Sequence, residues 1–366
     1  MHKMVLNLHD QYLRLNCINK PFELKRSTVI GGIILSLAVA SCDVFGPSVY
    51  FENTEKDNIR IEILRPADTI VNPSVHNVLF FVQPGINTLL AVTPGKEQFV
   101  SLPESQKLDS ACLYSMADLL SGSPRFTLME PEKLFEPANG HSYNWNEIDT
   151  LCAQAGVDGC LILSALEVEI AVNREVESYN RGEGYYATGK FRLSATWRFY
   201  DPAKQNMISK IVRVGNSFEG SITEYPEEAF LALADFKSMS FDFASQAGED
   251  YAKWIAPYWE LTDRYIYLSG NHDMEIARNY ADSGKWSDAL SIWRKYRGSE
   301  KVVVAKHASF NSIVAYEVLD QLDSALNLAN DTYRKFGTVE ANDYAVLLED
   351  RIREKQMVER QLGIMH

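Results

Sequence analysis

The sequence holds no apolar run of about 20 residues, so it does not read as a polytopic membrane protein. Only five of its 366 residues are cysteine, and none are spaced Cys-x-x-Cys. That excludes a zinc ribbon, a thioredoxin-type motif and a disulfide-dense miniprotein. The sequence contains no Gly-x-Ser-x-Gly elbow, Walker A loop, Gly-x-Gly-x-x-Gly turn or His-Glu-x-x-His helix, and so none of the common catalytic signatures. Positive charge is scarce: 36 Lys and Arg stand against 49 Asp and Glu, a formal charge of −13. Such a balance argues against a broad phosphate-binding surface, and nucleic acid is not an expected partner. Apolar residues make up 46% and charged residues 23%, as in a folded chain, and the length suggests two domains.

The N-terminal region sets the expected compartment. Lys25 and Arg26 precede an apolar stretch from Val29 to Ala40, which ends in Val39-Ala40-Ser41-Cys42. A basic segment, a short apolar segment and small residues before a cut are the layout of a secretory signal. A cysteine directly after Ala-Ser resembles the lipobox of bacterial lipoproteins, in which that thiol is acylated. Cys42 is therefore the expected lipid-attachment residue, carrying palmitate-type chains, and residues 1–41 are expected to be removed. Two or more acyl chains hold a protein at a membrane stably where one does not. Removal of 1–41 takes away five basic and two acidic side chains, moving the formal charge to about −16. The membrane is thus engaged through the lipid. The expected location is the bacterial envelope, the outer membrane preferred over the inner.

Residues 42–57 read as a tether. Ile59–Leu64 alternates and predicts a strand. The continuous apolar run within Val75–Val82 predicts a buried central strand. A loop marked by Pro84, Gly85, Pro94 and Gly95 leads to a helix at about Lys107–Leu120, followed by a strand at Arg125–Glu130. Asn144 or Trp145 opens a second helix that Gly156 stops, and Cys160–Val172 is the next strand. Strand–helix–strand–helix–strand implies parallel crossovers. Gly189–Tyr200 and Met207–Phe218 then alternate as an antiparallel meander, and an aromatic-rich helical region at about Pro226–Tyr258 closes the domain. From Asn271 the chain is helical and repetitive. Tyr280, Gly284, Trp286, Ala289 and Trp293 recur as Tyr316, Asp320, Leu322, Ala325 and Ala329, a period of 36 residues. A Glu- and Arg-rich helix at about Val339–Leu362 would cap the array. The expected class is α+β: a mixed α/β domain at 58–262, then an all-α repeat domain at 263–366.

Two resemblances follow from these residues. His76–Val82, Arg125-Phe126-Thr127-Leu128 and Leu151–Gly159 resemble the CsgG/TolB-N-type envelope domain over residues 76–172. The whole order of lipobox, Arg65-Pro66-Ala67 after a strand, α/β unit and Trp/Ala helical repeat resembles tetratricopeptide-containing lipoproteins of Bacteroidetes type, whose function is unassigned. The first resemblance implies envelope assembly and self-association. The second implies helix pairs that present a groove. The Val168–Tyr200 hairpin is charged near its tip (Arg174, Glu175, Glu177, Arg181, Glu183), unlike the membrane-inserting hairpins of the curli-secretion pore.

Candidate chemistry is sparse. Gly270-Asn271-His272-Asp273 has the form of a metallophosphoesterase motif, but the companion Asp-x-His, Gly-Asp-x-x-Asp and Gly-His-x-His segments do not occur. Asn271 is expected to cap a helix and His272 to sit on the surface. Glu167 and Glu169 share a strand face, and Asp158 is expected to cap backbone amides. His76, His141, His272, His307 and His366 lack ligand spacing, so neither a metal nor a cofactor is expected. Cys112, Cys152 and Cys160 read as small core residues, and Trp254, Trp259, Trp286 and Trp293 as packing between the domains. No catalytic set emerges, and the chain is not expected to be an enzyme. The repeat register places Asn271, Met274 and Arg278 beside His307 and Phe310, as a groove suited to a peptide or helix of an envelope protein. A homo-oligomeric secretion or assembly component is the alternative, and a hydrolase or small-ligand receptor the third reading.

Overall fold

The computed structural model describes residues 55–84, 89–99, 105–137, 142–179, 182–233, 235–268 and 271–364. Cys42, the leader, most of the tether, His141, Arg181, Gly270 and His366 lie outside them. Strands β1 (Lys56–Arg65) and β8 (Tyr258–Tyr267) form an antiparallel ribbon, and β2 (Asn77–Val82), β3 (Leu89–Val92), β4 (Thr127–Met129), β5 (Gly159–Tyr179), β6 (Gly182–Asp201) and β7 (Asn206–Glu219) form a mixed sheet. The helices are α1 (Ser105–Ser121), α2 (Trp145–Ala155), α3 (Glu228–Leu231), α4 (Phe236–Ile255), α5 (His272–Asp282), α6 (Trp286–Tyr296), α7 (Val302–Val318), α8 (Leu322–Phe336) and α9 (Val339–Gln361). The class is α+β, as the sequence implies.

The sheet order is β4-β2-β5-β6-β7, with β3 also pairing β5. β2 runs parallel to both β4 and β5, and β5-β6-β7 is the antiparallel meander. The first crossover moves from β2 to one side and the second passes back to the other. Right-handed crossovers in opposite directions put their helices on opposite faces. Accordingly, Leu108, Cys112, Met116 and Leu120 of α1 pack with Val78, Phe80, Leu161 and Leu163. Ile148, Leu151 and Cys152 of α2 pack with Leu79, Phe81, Cys160 and Ile162. Asn144 caps α2 in a reciprocal bond pair with Glu147, and Gly156 ends it at φ +66°.

A bulge between Leu163 and Ala165 re-phases β5, so that Leu166, Val168, Ile170 and Val172 continue the face begun by Leu161 and Leu163. α4 covers that face and stacks Tyr251 on Trp197, with ring centroids 4.6 Å apart. β3 lies in the stretch expected as a loop; it is four residues long, too short to show a period, and Leu90 and Val92 pack against the core.

The ribbon departs most from the expected organisation. β8 spans the expected boundary at 262/263, and β1, expected within the α/β domain, pairs with β8 along its whole length. Ile59, Ile61 and Ile63 bury themselves with Met274, Trp293, Phe310 and Leu348 in the core of the helical region. The 36-residue repeat is visible in the backbone. Gly284 and Asp320 both adopt positive φ, 73° and 57°. Lys285 and Gln321 each donate to the carbonyl five residues earlier, Tyr280 and Tyr316, at 2.8 Å. Ala289 and Ala325 are both fully buried, where a methyl lets the helices approach.

Candidate functional site

The five residues expected to line an open groove are placed as follows. Asn271 caps α5, its Oδ1 accepting from the Met274 amide at 3.1 Å. Met274 is fully buried in the helical core. Arg278 donates to Asp57 of β1 at 2.6 Å. His307 stacks on Tyr267 of β8, ring centroids 4.1 Å apart and planes nearly parallel. Phe310 stacks on Tyr265 at 4.9 Å and meets Tyr267 edge-on. The chain's own ribbon therefore packs on Arg278, His307 and Phe310, so the surface these three share is occupied within the chain rather than open. The physical reason is burial: the aromatic and apolar residues of the first helices satisfy themselves against β1 and β8 within the same chain.

Sequence reasoning missed the residues that lock the ribbon in place. Asn311 of α7 accepts from the Tyr267 amide at 2.7 Å and donates to its carbonyl at 2.8 Å, and so acts as a neighbouring strand would. Gln361 at the end of α9 treats Ala67 the same way, at 3.0 and 2.7 Å. These amides sit in long helices with no local signal of their role. β8 did carry a signal: Ala256-Pro257 breaks the helix, and Tyr, Trp, Leu, Thr and Ile follow at strand spacing.

An ion-pair chain joins the ribbon to the helices. Glu260 and Glu354 flank Arg65, each at 2.7 Å. Glu354 also reaches Arg351 at 3.0 Å, and Arg351 stands 3.7 Å from Glu317. Glu317 accepts from the Tyr344 hydroxyl and holds Arg264 at two points. Burial alone would lower the Arg264 pKa, but the hydrogen bonds and charge of Glu317 outweigh it and the pKa is raised. Burial, then the charge of Glu317, pushes the Tyr344 hydroxyl well up. A shallow groove of about 640 Å³ runs over this chain between Arg65, Arg264, Asp343 and Arg353. Its arginines that face carboxylates are neutralised, which leaves structural cross-links rather than reactive groups.

Elsewhere the candidates resolve into structure. Asp158 accepts from the amides of Asn77 and His76 at 2.8 and 3.0 Å, and those bonds hold its pKa below the usual carboxylate range. Arg125 donates to the carbonyls of Val75 and Asn72, and burial lowers its pKa to about 10. Glu167 and Glu169 both face solvent, Glu169 pairing with Arg192 at 3.1 Å. His272 is exposed beside Glu275, and Asp273 accepts from Tyr296, so Asn271-His272-Asp273 is a helix start. Cys112, Cys152 and Cys160 are buried. Trp254 belongs to the sheet core and Trp286 and Trp293 to the helical core, while Trp259 is 55% exposed. Trp254, Trp286 and Trp293 thus each pack within one core rather than between the two. No group of three or more His, Cys, Asp or Glu converges among the described residues. Among the same residues, no helix is long and apolar enough to cross a membrane.

The architecture defines a class: an α+β sheet domain followed by a helical repeat that encloses a two-stranded ribbon from both ends of the fold. The chain belongs to the family described as Domain of unknown function (DUF8603), which matches residues 70–267, more than half its length. Residues 275–354 match a second family, Domain of unknown function (DUF6340). No curated protein matches the chain. Among solved structures, it is similar to a putative neuraminyllactose-binding hemagglutinin homolog from Helicobacter pylori, with 12% identity, 51% of this chain and 83% of that chain covered, and a TM-score of 0.25. Lipoprotein GNA1162 from Neisseria meningitidis is 14% identical, with 38% and 84% covered and a TM-score of 0.20. Protein XCC0632 from Xanthomonas campestris, of the DUF330 family, is 12% identical, with 52% and 91% covered and a TM-score of 0.19. At these TM-scores the three superpositions assign no function.

Proposed function

We propose that the protein is a lipid-anchored, non-enzymatic envelope lipoprotein that binds a protein partner through the outward face of its ribbon. The anchor reading rests on Val39-Ala40-Ser41-Cys42. One observation carries the partner surface. Trp259 and Leu261 are 55% and 61% exposed on one face of β8, and Leu64 stands opposite Trp259. Exposed Trp beside Leu on a rigid, doubly clamped ribbon is the composition of an interaction anchor, ringed here by Glu62, Arg60 and Asp263.

The test is in-cell crosslinking with affinity capture of the membrane-bound protein, wild type against Trp259→Ser/Leu261→Ser. One stoichiometric foreign protein, lost in the double variant, is the expected result. A ladder of self-crosslinks would replace this reading with a homo-oligomeric assembly component. Labelled palmitate that fails to enter wild type, or that still enters Cys42→Ala, would overturn the anchor.

A further inference from the structure

Two cysteine sulfurs meet in the small core between α2 and the sheet. Cys152 Sγ, in the last turn of α2, lies 3.1 Å from Cys160 Sγ, the second residue of β5. Non-bonded atoms of comparable size rest at about 3.5–4.0 Å, so the two sulfurs are closer than ordinary packing requires. The capped helix end at Gly156 and the Asp158 turn fix both backbones, and Cys112 lies in the core on the opposite face of the sheet. Cys160 is fully buried, whereas Cys152 lines an open cavity of about 320 Å³ shared with Ser74, Asp149, Val157 and Asp158. Cys152 thus lies on the solvent side of the pair and Cys160 behind it. No third metal-ligating side chain joins them among the described residues.

We propose that Cys152 and Cys160 are a disulfide-forming pair, closed by thiol–disulfide exchange with a low-molecular-weight disulfide or an oxidised dithiol protein. Cys152, as thiolate, attacks one sulfur of the oxidant, forming a mixed disulfide and expelling a thiolate. Cys160, as thiolate, then attacks Cys152 Sγ, forming the intramolecular bond and expelling the second thiolate. The two protein thiols lose two protons and two electrons, and the oxidant's disulfide becomes two thiols. In the folded protein, the bond to Cys152 and burial push the Cys160 thiol far up. Because both cysteines are buried once the domain is formed, closure belongs to the folding chain, before Cys160 is enclosed. The bond would join the end of α2 to the head of β5 across the Gly156–Gly159 turn. An oxidising compartment, as the lipoprotein reading implies, would supply the oxidant.

The experiment refolds the full chain with oxidised glutathione, alkylates free thiols under denaturing conditions and cleaves before aspartate. Cutting at Asp158 separates the two cysteines, so a disulfide leaves residues 149–157 linked to the following peptide. The expected result is that linked pair, with Cys112 alkylated in its own peptide. Reduction should lower the Tm of wild type by about 5 °C, an effect lost in Cys152→Ala/Cys160→Ala and kept in Cys112→Ala. Alkylation of both Cys152 and Cys160, or scrambled pairing with Cys112, would overturn the proposal. Cell fractionation tests export separately, so a cytoplasmic chain that still closes on refolding would defeat the lipoprotein reading and leave the pair standing.

Discussion

Arg264 on β8 and Glu317 on α7 form a two-point ion pair, 2.9 Å on each arm, with the carboxylate only 1% exposed. The two groups lie 53 residues apart in sequence and tie the ribbon to the helix that runs beside it. A buried pair of this kind gains little over a well-packed apolar pair, because both ions lose water. Removing one partner is another matter, since the other is then left charged and enclosed. Glu317→Gln keeps an acceptor for Tyr344 but strands Arg264, and should cost about 3 kcal/mol of unfolding free energy. Glu354, 22% exposed at its side chain, is the internal comparison, and Glu354→Gln should cost about 1 kcal/mol. Urea unfolding of the two variants side by side reads the difference.

The Asn311 clamp predicts a local effect as well as a global one. Asn311→Ala removes the two side-chain bonds made to the buried amide and carbonyl of Tyr267, a loss of about 2–4 kcal/mol. The damage should concentrate at the end of the ribbon. Hydrogen exchange should therefore speed at Tyr267 and at Leu268, whose amide donates to the Glu55 carbonyl, while the amides of β5 and β6 stay protected. Equal loss of protection throughout would mean that the ribbon and the sheet unfold as one unit.

Gly248 is where α4 crosses α1. A Cβ built there would stand 2.1 Å from the Cys112 carbonyl oxygen and 2.9 Å from the Met116 amide nitrogen, both backbone atoms that cannot swing aside. Gly248→Ala must push the helices apart over a core that includes Trp197 and Tyr251. The expected cost is about 3 kcal/mol, read by thermal or urea unfolding, even though alanine is the better helix former.

These elements differ in how visible they were from sequence. The α2 boundaries were legible because both ends carry local chemistry: Asn144 with Glu147 at one, Gly156 at the other. The meander was legible from alternation, and the repeat from its 36-residue echo. β1 was legible as a strand, but its partner was not, because Ile61 pairs with Thr262 some 200 residues away and no local pattern states that register. The same gap governs the candidate site. His307, Phe310 and Arg278 do share a surface, yet the sequence could not say that Tyr267, Tyr265 and Asp57 already cover it. Asn311 and Gln361 were invisible for a related reason: an amide in a helix shows its role only once a strand lies against it.

The turn that joins α2 to β5 carries the last prediction. Asp158 accepts amide hydrogens from His76 and Asn77 at the entry to β2, and those bonds depress its pKa. A carboxylate with a depressed folded-state pKa contributes stability that is complete above its unfolded value and is lost as pH falls through the folded one. Asp158 should therefore support the fold at neutral pH and stop doing so in the acid range. The group is largely exposed, so solvent screening keeps the contribution small. Asp158→Asn removes the ionisation but leaves an acceptor oxygen. At pH 7 the variant should be modestly less stable than wild type, and the gap should close as pH falls below about 4. Urea midpoints of both proteins across the acid range measure it. A gap that persists unchanged to low pH would show that the charge on Asp158 plays no part, and that only the shape of the turn matters.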